Sequence, residues 1–492
     1  MWYWFGVVVM ALYLLCSLWF FVCSVLQLHL LWKSRTIKQK SQSFNNEEQF
    51  PIVSIQVPVF NERYVIARLL ESLGHLDYPK DRFEIQVLDD STDDTSDIIR
   101  TSCENLSDKG IMVTILHRTD RKGYKAGALE EGLPSCQGAF IAIFDADFTP
   151  APNFLKEMLG YFKDPKVGGV QGRWQHRNLH ENWLTVIQSY LLDSHFSLEQ
   201  KGRSAAGYFL NFNGTAGMWR KQCIVESGGW NGQVLTEDLE LSYRAQLLGW
   251  KFLYNDAVAV PSDLPADVDA FKAQQFRWAK GMAQSSLCHL RAVLKMRISY
   301  GKKIHAMAHL LGSVSFLAVL GNILLALPLV IARHYSGTFS GQSELIVLTG
   351  ITLPVICLYY SAGTKSNLSR RDFWLHLPVF LVVYMALSAQ NSLAVVQAWL
   401  GHKTPFVRTP KPESINKGYT NNTSAWSGTM VVEIIVLLYL LGTTIVCIVW
   451  EDYLLLSFLL MALAGSVMLL RPALTKVFRN SALGEAAIPV NN

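Results

Sequence analysis

The sequence predicts an α/β domain with a parallel, doubly wound sheet, joined to a domain of transmembrane helices. Apolar residues make up 50% of the 492-residue chain and charged residues 17%, whereas a soluble protein has about 25% charged residues. Long apolar runs lie at the start and in the second half of the chain. Between residues 50 and 275, β-branched segments alternate with helical ones, which is typical of parallel sheets.

The first apolar run, residues 2–32, predicts a transmembrane helix. It is longer than the apolar region of a signal peptide and has no basic start, so we interpret it as a retained anchor. Further runs long enough to cross the bilayer lie at 305–332, 344–362, 428–449 and 453–470.

Basic residues follow the first helix directly, at Lys33, Arg35, Lys38 and Lys40. Because cytoplasmic loops carry an excess of lysine and arginine, we expect the N-terminus outside and the α/β domain in the cytoplasm.

The apolar run at 373–400 has two interpretations. If it crossed the membrane, the cations after it would lie outside, against the charge rule. We therefore predict an interfacial or re-entrant segment and five spanning helices, with six spanning helices as the alternative. The cations are Lys403, Arg408, Lys411 and Lys417. In the second half of the run, Ala389, Leu393, Val396 and Leu400 form an apolar stripe along one side of a helix, and Gln390, Asn391 and Gln397 lie outside this stripe.

These predictions divide the chain into nine parts. In order they are a transmembrane helix at 1–32, a basic and polar linker at 33–49, the α/β domain at 50–275, an interfacial helix region at 276–300, two transmembrane helices and their loop at 301–372, the interfacial or re-entrant segment at 373–400, a cytoplasmic loop at 401–426, two transmembrane helices at 427–471 and a cytoplasmic tail at 472–492.

Within the α/β domain, acidic residues follow predicted strands. Ligands of parallel sheets bind at the carboxyl ends of the strands, and Asp89, Asp90, Asp145 and Asp147 stand at such ends. The predicted strands are 51–60, 83–88, 112–116 and 139–144, and the predicted helices are 64–74, 96–106 and 127–132.

Asp145 and Asp147 flank a single alanine, so their carboxylates face the same side of an extended chain. A hard divalent cation such as Mg²⁺ or Mn²⁺ takes carboxylate oxygens together with substrate phosphates. The pair is therefore a candidate metal site, and a capped turn is the alternative. Asp89 and Asp90 open a stretch of four carboxylates in six residues. Its functional interpretation is hydrogen bonding to a nucleoside base and ribose, and the alternative is a solvated turn with a helix N-cap.

Two further motifs carry candidate chemistry. Thr236-Glu237-Asp238 precedes an amphipathic helix, and a carboxylate there suits a general base toward a weakly nucleophilic sugar hydroxyl; acidic residues in a first helical turn are also favoured by the helix dipole alone. Gln274-Gln-Phe-Arg277-Trp278 precedes the membrane half. Arginine suits phosphate and tryptophan suits a sugar ring, although both residue types are also common as interfacial anchors.

With these motifs in order, the chain resembles the membrane-embedded members of glycosyltransferase family two, the group of cellulose, hyaluronan and chitin synthases. The likeness is strongest to the plant cellulose-synthase-like mannan and glucomannan synthases and is dense over about residues 50–300. The matching segments are Gln-Val-Pro-Val-Phe-Asn-Glu (56–62), Gln-Val-Leu-Asp-Asp-Ser-Thr-Asp (86–93), Gly-Tyr-Lys-Ala-Gly-Ala-Leu (123–129), Phe-Asp-Ala-Asp-Phe (144–148), Asp-Ser-His-Phe (193–196), Phe-Asn-Gly-Thr-Ala-Gly (212–217), Thr-Glu-Asp (236–238) and Gln-Gln-Phe-Arg-Trp (274–278).

The resemblance implies a GT-A domain that transfers a hexose from a nucleotide sugar with inversion, aided by Mg²⁺ or Mn²⁺. It implies that Asp238 is the general base with Glu237 as its neighbour, and that Asp147 binds the metal. The implied donor-binding residues are Asp89, Asp90, Lys125, Asp145, Gln274 and Arg277, and the implied acceptor-binding residues are Asn213, Gly214, Thr215 and Trp278. Phe406, Thr409 and Lys411 match a cytoplasmic gating loop that closes over nucleotide in cellulose synthases, with Arg408 where those enzymes have valine.

We predict a processive synthase that extends a β-linked polysaccharide from UDP-glucose or GDP-mannose and passes it across the bilayer. Transfer of one sugar to a lipid such as ceramide or diacylglycerol is the alternative, because such enzymes share these motifs. A transporter or scaffold would leave the order of the motifs unexplained. The net charge of +5 is too small to favour a nucleic-acid partner. No oligomeric state is predicted.

Overall fold

A computed structural model describes residues 2–36, 49–336, 342–365, 368–404 and 428–482. The gating residues predicted at Phe406, Arg408, Thr409 and Lys411 lie outside the described residues. The strands are β1 (Val53–Val59), β2 (Phe83–Asp89), β3 (Met112–His117), β4 (Phe140–Ile143), β5 (Val167–His176), β6 (Gly217–Arg220) and β7 (Lys251–Ser262).

Helices surround this sheet and form the second half of the chain. They are α1 (Trp2–Thr36), α2 (Ile66–Leu73), α3 (Thr95–Asp108), α4 (Tyr124–Gly132), α5 (Phe154–Leu159), α6 (Trp183–Ser194), a π-helix (His195–Gln200), α7 (Lys201–Ala206), α8 (Lys221–Glu226), α9 (Glu237–Leu247), α10 (Val268–Lys295), α11 (Tyr300–Leu310), α12 (Val314–Ser336), α13 (Gln342–Gly363), α14 (Arg370–Ala386), α15 (Ser388–Trp399), α16 (Gly428–Val449) and α17 (Leu456–Ala482).

The strands form one mixed sheet in the order β3-β2-β1-β4-β6-β5-β7. The four predicted strands run parallel, as expected. The expectation of an all-parallel sheet is wrong at β6, which runs antiparallel to both β4 and β5. The Ala216 N–H donates to the Ile143 carbonyl at 2.9 Å, so β6 begins where β4 ends and has to run back. A strand of four residues is too short to show a period in the sequence.

Helices cover both faces of the sheet. Ile66 of α2, Ile99 of α3 and Phe154 of α5 belong to one apolar core, and Leu129 of α4 and Leu241 of α9 belong to the other. Strand β1 is therefore almost wholly buried, and its two polar side chains, Ser54 and Gln56, form hydrogen bonds with Glu84 and Gln86 of β2.

Within the described residues, five helical segments are long and apolar enough to cross a membrane: Trp2–Thr36, Val314–Ser336, Arg370–Trp399, Gly428–Val449 and Leu456–Lys476. The third combines α14 and α15, which we expected at the interface. By contrast, α13, which we expected to span, contributes only the shorter apolar helix Gly350–Gly363 within its described part. The most apolar part of the α14–α15 segment is 67% buried, against 33% in α12, because α14 packs on α17 and α15 packs on α10.

Helix α15 turns its amide side chains toward the protein. Gln390 and Asn391 are buried together with Ala389 of the predicted apolar stripe, whereas Val396 and Leu400 of that stripe are exposed. The face that α15 turns to the protein therefore carries both amide and apolar side chains.

Two predicted boundaries differ from the structure. Helix α10 runs unbroken from Val268 to Lys295, so the limit predicted at residue 275 falls inside it. The span predicted to begin at residue 305 begins at Val314, because α11 ends at Leu310 and a turn follows.

Candidate active site

A cavity of about 210 Å³ lies at the carboxyl edge of β1, β2 and β4. Its walls come from the ends of these strands, the 213–215 loop before β6, the start of α9 and the first half of α10. Asp90, Asp147 and Asp238, which are far apart in the sequence, all line this cavity. The structure therefore brings the three predicted carboxylates into one cleft.

Asp145 and Asp147 follow β4 and both line the cavity. Lys125 Nζ donates to Asp145 Oδ1 at 2.5 Å, and the Asp145 backbone N–H donates to Thr215 Oγ1 at 2.9 Å. Asp147 is 2% exposed, and its carbonyl accepts a hydrogen bond from Arg177 Nη2 at 3.2 Å. Asp145 is thus held in an ion pair with Lys125 beside the buried Asp147.

The two adjacent carboxylates after β2 have different surroundings. Asp90 lines the cavity, and Arg118 donates to its two oxygens from Nε at 2.7 Å and from Nη2 at 2.6 Å. Asp89 is buried and is not among the lining residues; its oxygens accept from the Ser91 N–H at 2.9 Å and from Ser96 Oγ at 2.6 Å. Asp89 therefore stabilises the loop that presents Asp90, and its direct contact with a donor stays a prediction.

Gly214 allows Lys125 and Asp238 to approach the 213–215 loop. Its φ is +78°, and a Cβ at this position would lie 3.0 Å from Asp238 Oδ2 and 3.3 Å from Lys125 Nζ. Lys125 Nζ also donates to the Gly214 carbonyl at 2.9 Å. The backbone conformation and the two neighbouring side chains both require glycine here.

Glu237 and Asp238 begin α9, and both line the cavity. Burial, together with the negative charge of Glu237, raises the pKa of Asp238 to about 7, although Lys125 opposes this. Burial also raises the pKa of Glu237, and Lys125 again opposes the shift. The Leu239 N–H donates to Asp238 Oδ1 at 2.8 Å. A carboxyl group with a pKa near neutrality is suited to general-base chemistry.

Helix α10 presents Gln274, Arg277 and Trp278 to the cavity. Residues three and four apart lie on one helical face, so the spacing of this motif aims all three side chains in one direction. The Trp278 ring is half-buried and packs against the second apolar core, which fixes its position.

Two half-buried cations lie among the carboxylates of the cavity. Burial lowers the pKa of the Arg277 guanidinium, although Glu237 and Asp145 oppose this, and arginine remains charged in proteins. Burial also acts to lower the pKa of the Lys125 ammonium, but Asp145 and Glu237 outweigh it and raise that pKa. Both side chains are therefore positively charged at neutral pH.

Asn213 and Thr215 flank Gly214 but point to different places. Asn213 lines the cavity, and its Oδ1 lies 3.0 Å from His195 Nε2 and 2.8 Å from Asn211 Nδ2. Thr215 is fully buried, and its hydroxyl accepts the backbone N–H of Asp145. Thr215 therefore positions Asp145, and its contact with an acceptor stays a prediction.

Sequence reasoning missed Arg118, which holds Asp90, and two residues of the cavity wall. Arg121 lines the cavity, with its guanidinium carbon 3.2 Å from the centre of the Phe60 ring. Asp263 also lines it. Arg118 and Asp263 directly follow β3 and β7, so the rule that selected the carboxylates after β2 and β4 applies to them as well. Asp263 was missed because β7 was not predicted.

The carboxylates of the cavity could bind a divalent cation only together with oxygens from a bound substrate. Among the described residues, no group of three or more His, Cys, Asp or Glu side chains could hold a metal ion. Mg²⁺ is usually bound by one or two carboxylates, with substrate phosphates and water completing its shell. Asp147 fits as such a ligand, with Asp145 beside it, provided that a bound diphosphate supplies further oxygens.

Comparisons with known proteins agree with this geometry. The profile of the family described as glycosyltransferase like family 2 matches residues 51–281. Glucomannan 4-beta-mannosyltransferase 2 of Arabidopsis thaliana is 39% identical over 307 residues, which cover 60% of this chain and 56% of the relative. Glucomannan 4-beta-mannosyltransferase 1 of Oryza sativa subsp. japonica is 42% identical over 264 residues, which cover 52% and 50%. The chain thus spans about half the length of the curated relatives it matches.

A solved structure shares the fold. The mannosyltransferase PcManGT of Pyrobaculum calidifontis, solved in complex with GDP-Man and Mn²⁺, aligns with a TM-score of 0.55 and 19% identity over 82% of this chain and 100% of its own. The predicted GT-A fold, joined to long apolar helices, is confirmed. Residues 51–281 thus form a domain that matches glycosyltransferase like family 2, as its motifs indicate.

Proposed function

We propose that the chain is an inverting mannosyltransferase that transfers mannose from GDP-mannose to a growing β-linked glycan. One observation carries this proposal: a carboxylate with a pKa near neutrality shares a cavity with two half-buried cations. Transfer needs both, because the acceptor hydroxyl has to lose a proton while a charged nucleoside diphosphate departs.

The cations act on the leaving group. Lys125 and Arg277 bind the donor diphosphate and neutralise the charge that develops on it. A Mg²⁺ or Mn²⁺ ion held by Asp147, when bound, supplies further positive charge at the same oxygens. The position of Asp145 beside Lys125 keeps the ammonium group in place before the donor arrives.

Asp238 acts on the acceptor. Its carboxylate takes the hydroxyl proton as the acceptor oxygen bonds to the anomeric carbon, and the bond from that carbon to the diphosphate oxygen breaks. The electron pair of the broken bond leaves with the diphosphate. A single displacement without a protein nucleophile inverts the anomeric centre, so an α-linked donor gives a β-linked product.

The identity of the donor is inferred from the relatives. Both plant proteins are named as mannosyltransferases. Of the two donors that the sequence leaves open, UDP-glucose and GDP-mannose, only GDP-mannose carries mannose. Asp90, held rigid by Arg118, is placed to accept hydrogen bonds from the nucleoside.

A polymer product is favoured by the polar interior of the helical half. Lys272 Nζ of α10 donates to Glu433 Oε2 of α16 at 2.7 Å, and both side chains are buried. Gln390 and Asn391 of α15 are also buried nearby, with Gln390 Nε2 donating to the Lys272 carbonyl at 3.0 Å. Ionisable and amide groups inside a membrane bundle are costly and mark the paths of polar substrates. We infer that an elongating glycan passes along them.

The same proposal fixes an orientation. The basic residues that follow α1 place the catalytic domain and its nucleotide sugar in the cytoplasm, with the N-terminus outside. Cleavage of the α/β domain by protease added to sealed cytoplasm-in vesicles would contradict this orientation.

The proposal is tested on the purified full chain in lipid nanodiscs. Radiolabelled GDP-mannose and UDP-glucose are supplied in parallel, and released nucleotide and product size are measured. We expect turnover of GDP-mannose and a long insoluble product. Turnover of UDP-glucose alone would overturn the donor assignment, and a single labelled glycolipid would overturn the polymer assignment.

A further inference from the structure

The turn between α10 and α11 has a charge pattern that the proposed reaction does not use. Residues 284–304 contain no acidic residue and carry five cations: Arg291, Lys295, Arg297, Lys302 and Lys303. Large apolar side chains among them are exposed: Leu287 (58%), Leu294 (48%), Tyr300 (86%) and Ile304 (49%). We call residues 287–304 the basic hairpin.

The five cations of the basic hairpin lack carboxylate partners within the part of the chain that the structure describes. Lys303 Nζ donates to the Leu294 carbonyl at 2.8 Å, and Lys302 lies over the Phe209 ring at 5.3 Å. By contrast, Lys272 on the same α10 helix is paired with Glu433. Like charges this close repel one another unless an anion from outside the chain compensates them.

The basic hairpin lies beside the C-terminal end of α1, at the same height along the axis of that helix. Trp19 Nε1 of α1 donates to Ser315 Oγ at 3.0 Å, and His29 Nδ1 lies 2.8 Å from His305 Nε2. From the first contact to the second, the chain advances ten residues in α1 and goes back ten residues in the α11–α12 segment. Helix α1 therefore runs antiparallel to α11 and α12, with one constant register. Continuing this register places the start of α11 beside the exposed Trp32 and the basic end of α1, where a membrane helix reaches the headgroups.

We propose that the basic hairpin binds the headgroups of anionic phospholipids in the leaflet where α1 ends. Arginine and lysine pair with lipid phosphates and carboxylates, and exposed leucine, isoleucine and tyrosine side chains insert at the boundary between headgroups and acyl chains. A cation next to an anionic membrane surface strengthens binding about fivefold. Neutralising three of the five cations is therefore expected to weaken the preference for anionic lipid on the order of a hundredfold.

The natural Cys288 provides the probe. It is exposed inside the basic hairpin, whereas the other cysteines are buried or half-buried. The full chain, labelled at Cys288 with a fluorophore, is reconstituted with brominated lipids that quench the label on contact. Brominated phosphatidylserine is compared with brominated phosphatidylcholine at equal mole fraction. The test variant is R291Q/K295Q/R297Q, and the matched control is K109Q/K163Q/K166Q, which removes the same charge from exposed positions of the α/β domain.

We expect phosphatidylserine to quench the label more strongly than phosphatidylcholine in the natural chain and in the control, and we expect this preference to be strongly reduced in the test variant, which keeps only two of the five cations. Equal quenching by the two lipids in the natural chain would overturn the proposal. So would a preference that is lost to the same degree in both variants, because net charge would then account for it. Suppression of the preference by soluble inorganic phosphate would assign the site to a free anion instead of a lipid. Neither the donor nor the product enters this measurement, so it is independent of the proposed reaction.

Discussion

Replacing Asp238 by asparagine tests the centre of the proposed mechanism. The amide keeps the size of the side chain and can still accept the Leu239 N–H at Oδ1, but it cannot take a proton from the acceptor. General-base catalysis contributes about 10²–10⁴-fold, so we expect kcat to fall by that factor. The phosphate-side cations Lys125 and Arg277 are untouched, so the affinity for GDP-mannose should change little.

Replacing Glu237 by glutamine is the matched variant, because the two carboxyl groups are adjacent at the start of α9 and both line the cavity. The charge of Glu237 helps to raise the pKa of Asp238 to about 7. In the natural chain, kcat/KM should therefore fall as the pH drops through about 7, since the base becomes protonated. Without the charge of Glu237, the pKa of Asp238 should drop by on the order of one pH unit, and the acidic limb of the profile should shift by the same amount.

The two variants are compared by initial rates of nucleotide release across the pH range and by calorimetric titration with GDP-mannose. Normal turnover in the Asp238→Asn variant would refute the assignment of the base. A loss of 10²-fold or more in the Glu237→Gln variant alone would transfer that role to Glu237. Loss of donor binding in both variants would indicate a damaged site, and neither carboxyl group could then be assigned.

Three further predictions follow from the same cavity. Gly214→Ala should cost about 1–2 kcal/mol of stability because of its left-handed backbone, and it should also abolish transfer because the added Cβ crowds Asp238. The control is Gly207→Ala, where φ is +65° and no atom lies within 4 Å of the added Cβ. Thermal unfolding and turnover measurements should show a similar loss of stability but full activity in the control. Arg118→Lys should raise the KM for GDP-mannose about tenfold with a smaller change in kcat, because the two-pronged contact with Asp90 is lost; an unchanged KM would contradict this. Chelation by EDTA should stop transfer and added Mg²⁺ or Mn²⁺ should restore it, whereas full activity in EDTA would exclude a role for the metal.

Strands β1, β2 and β4 could be predicted from the sequence because they are rich in apolar and β-branched residues and are buried on both faces. Polar residues close to their ends mark where β2 and β4 stop, and the parallel pairing follows from the helices between the strands. β6 has four residues, and β7 is interrupted by the polar pair Asn255-Asp256, so local patterns do not reveal either strand. The positions of β6 and β7 in the sheet depend on long-range contacts, because the segments before them first contribute to the cavity and then rejoin the sheet.

Asp90, Asp145 and Asp147 were predictable because they follow recognisable strands, and Asp238 was predictable because it opens a recognisable helix, whereas Asp263 follows a strand that was not predicted. The sequence alone did not show which of these carboxylates face the cavity and which are structural. Asp89 and Asp90 are neighbours in the sequence, yet only Asp90 lines the cavity, because the hydroxyl and amide groups of the following loop hold Asp89 inside. Arg118 is recognisable as a partner only once β2 and β3 are seen side by side, since the pairing of the two strands brings it next to Asp90.

Helix α10 connects the reaction to the membrane. With 28 residues, it is about 42 Å long. Near its start, Lys272 forms an ion pair with Glu433 of the membrane helix α16; one turn later, Arg277 and Trp278 line the cavity. Breaking a buried ion pair by removing one partner costs about 3–5 kcal/mol, so the position of α10 against the bundle is strongly fixed.

The boundary predicted at residue 275 would therefore divide the active site. A fragment ending there would keep Asp90, Asp147 and Asp238 but would lack Arg277 and Trp278, and hence one of the two cations proposed for the leaving group. The α/β domain is a unit of folding pattern, but the cavity is completed by a helix whose position depends on the membrane half. This dependence gives a reason why the motifs of the cavity and the apolar helices occur in one chain: in the proposed reaction, the geometry at the anomeric carbon would be set partly by contacts made inside the bundle.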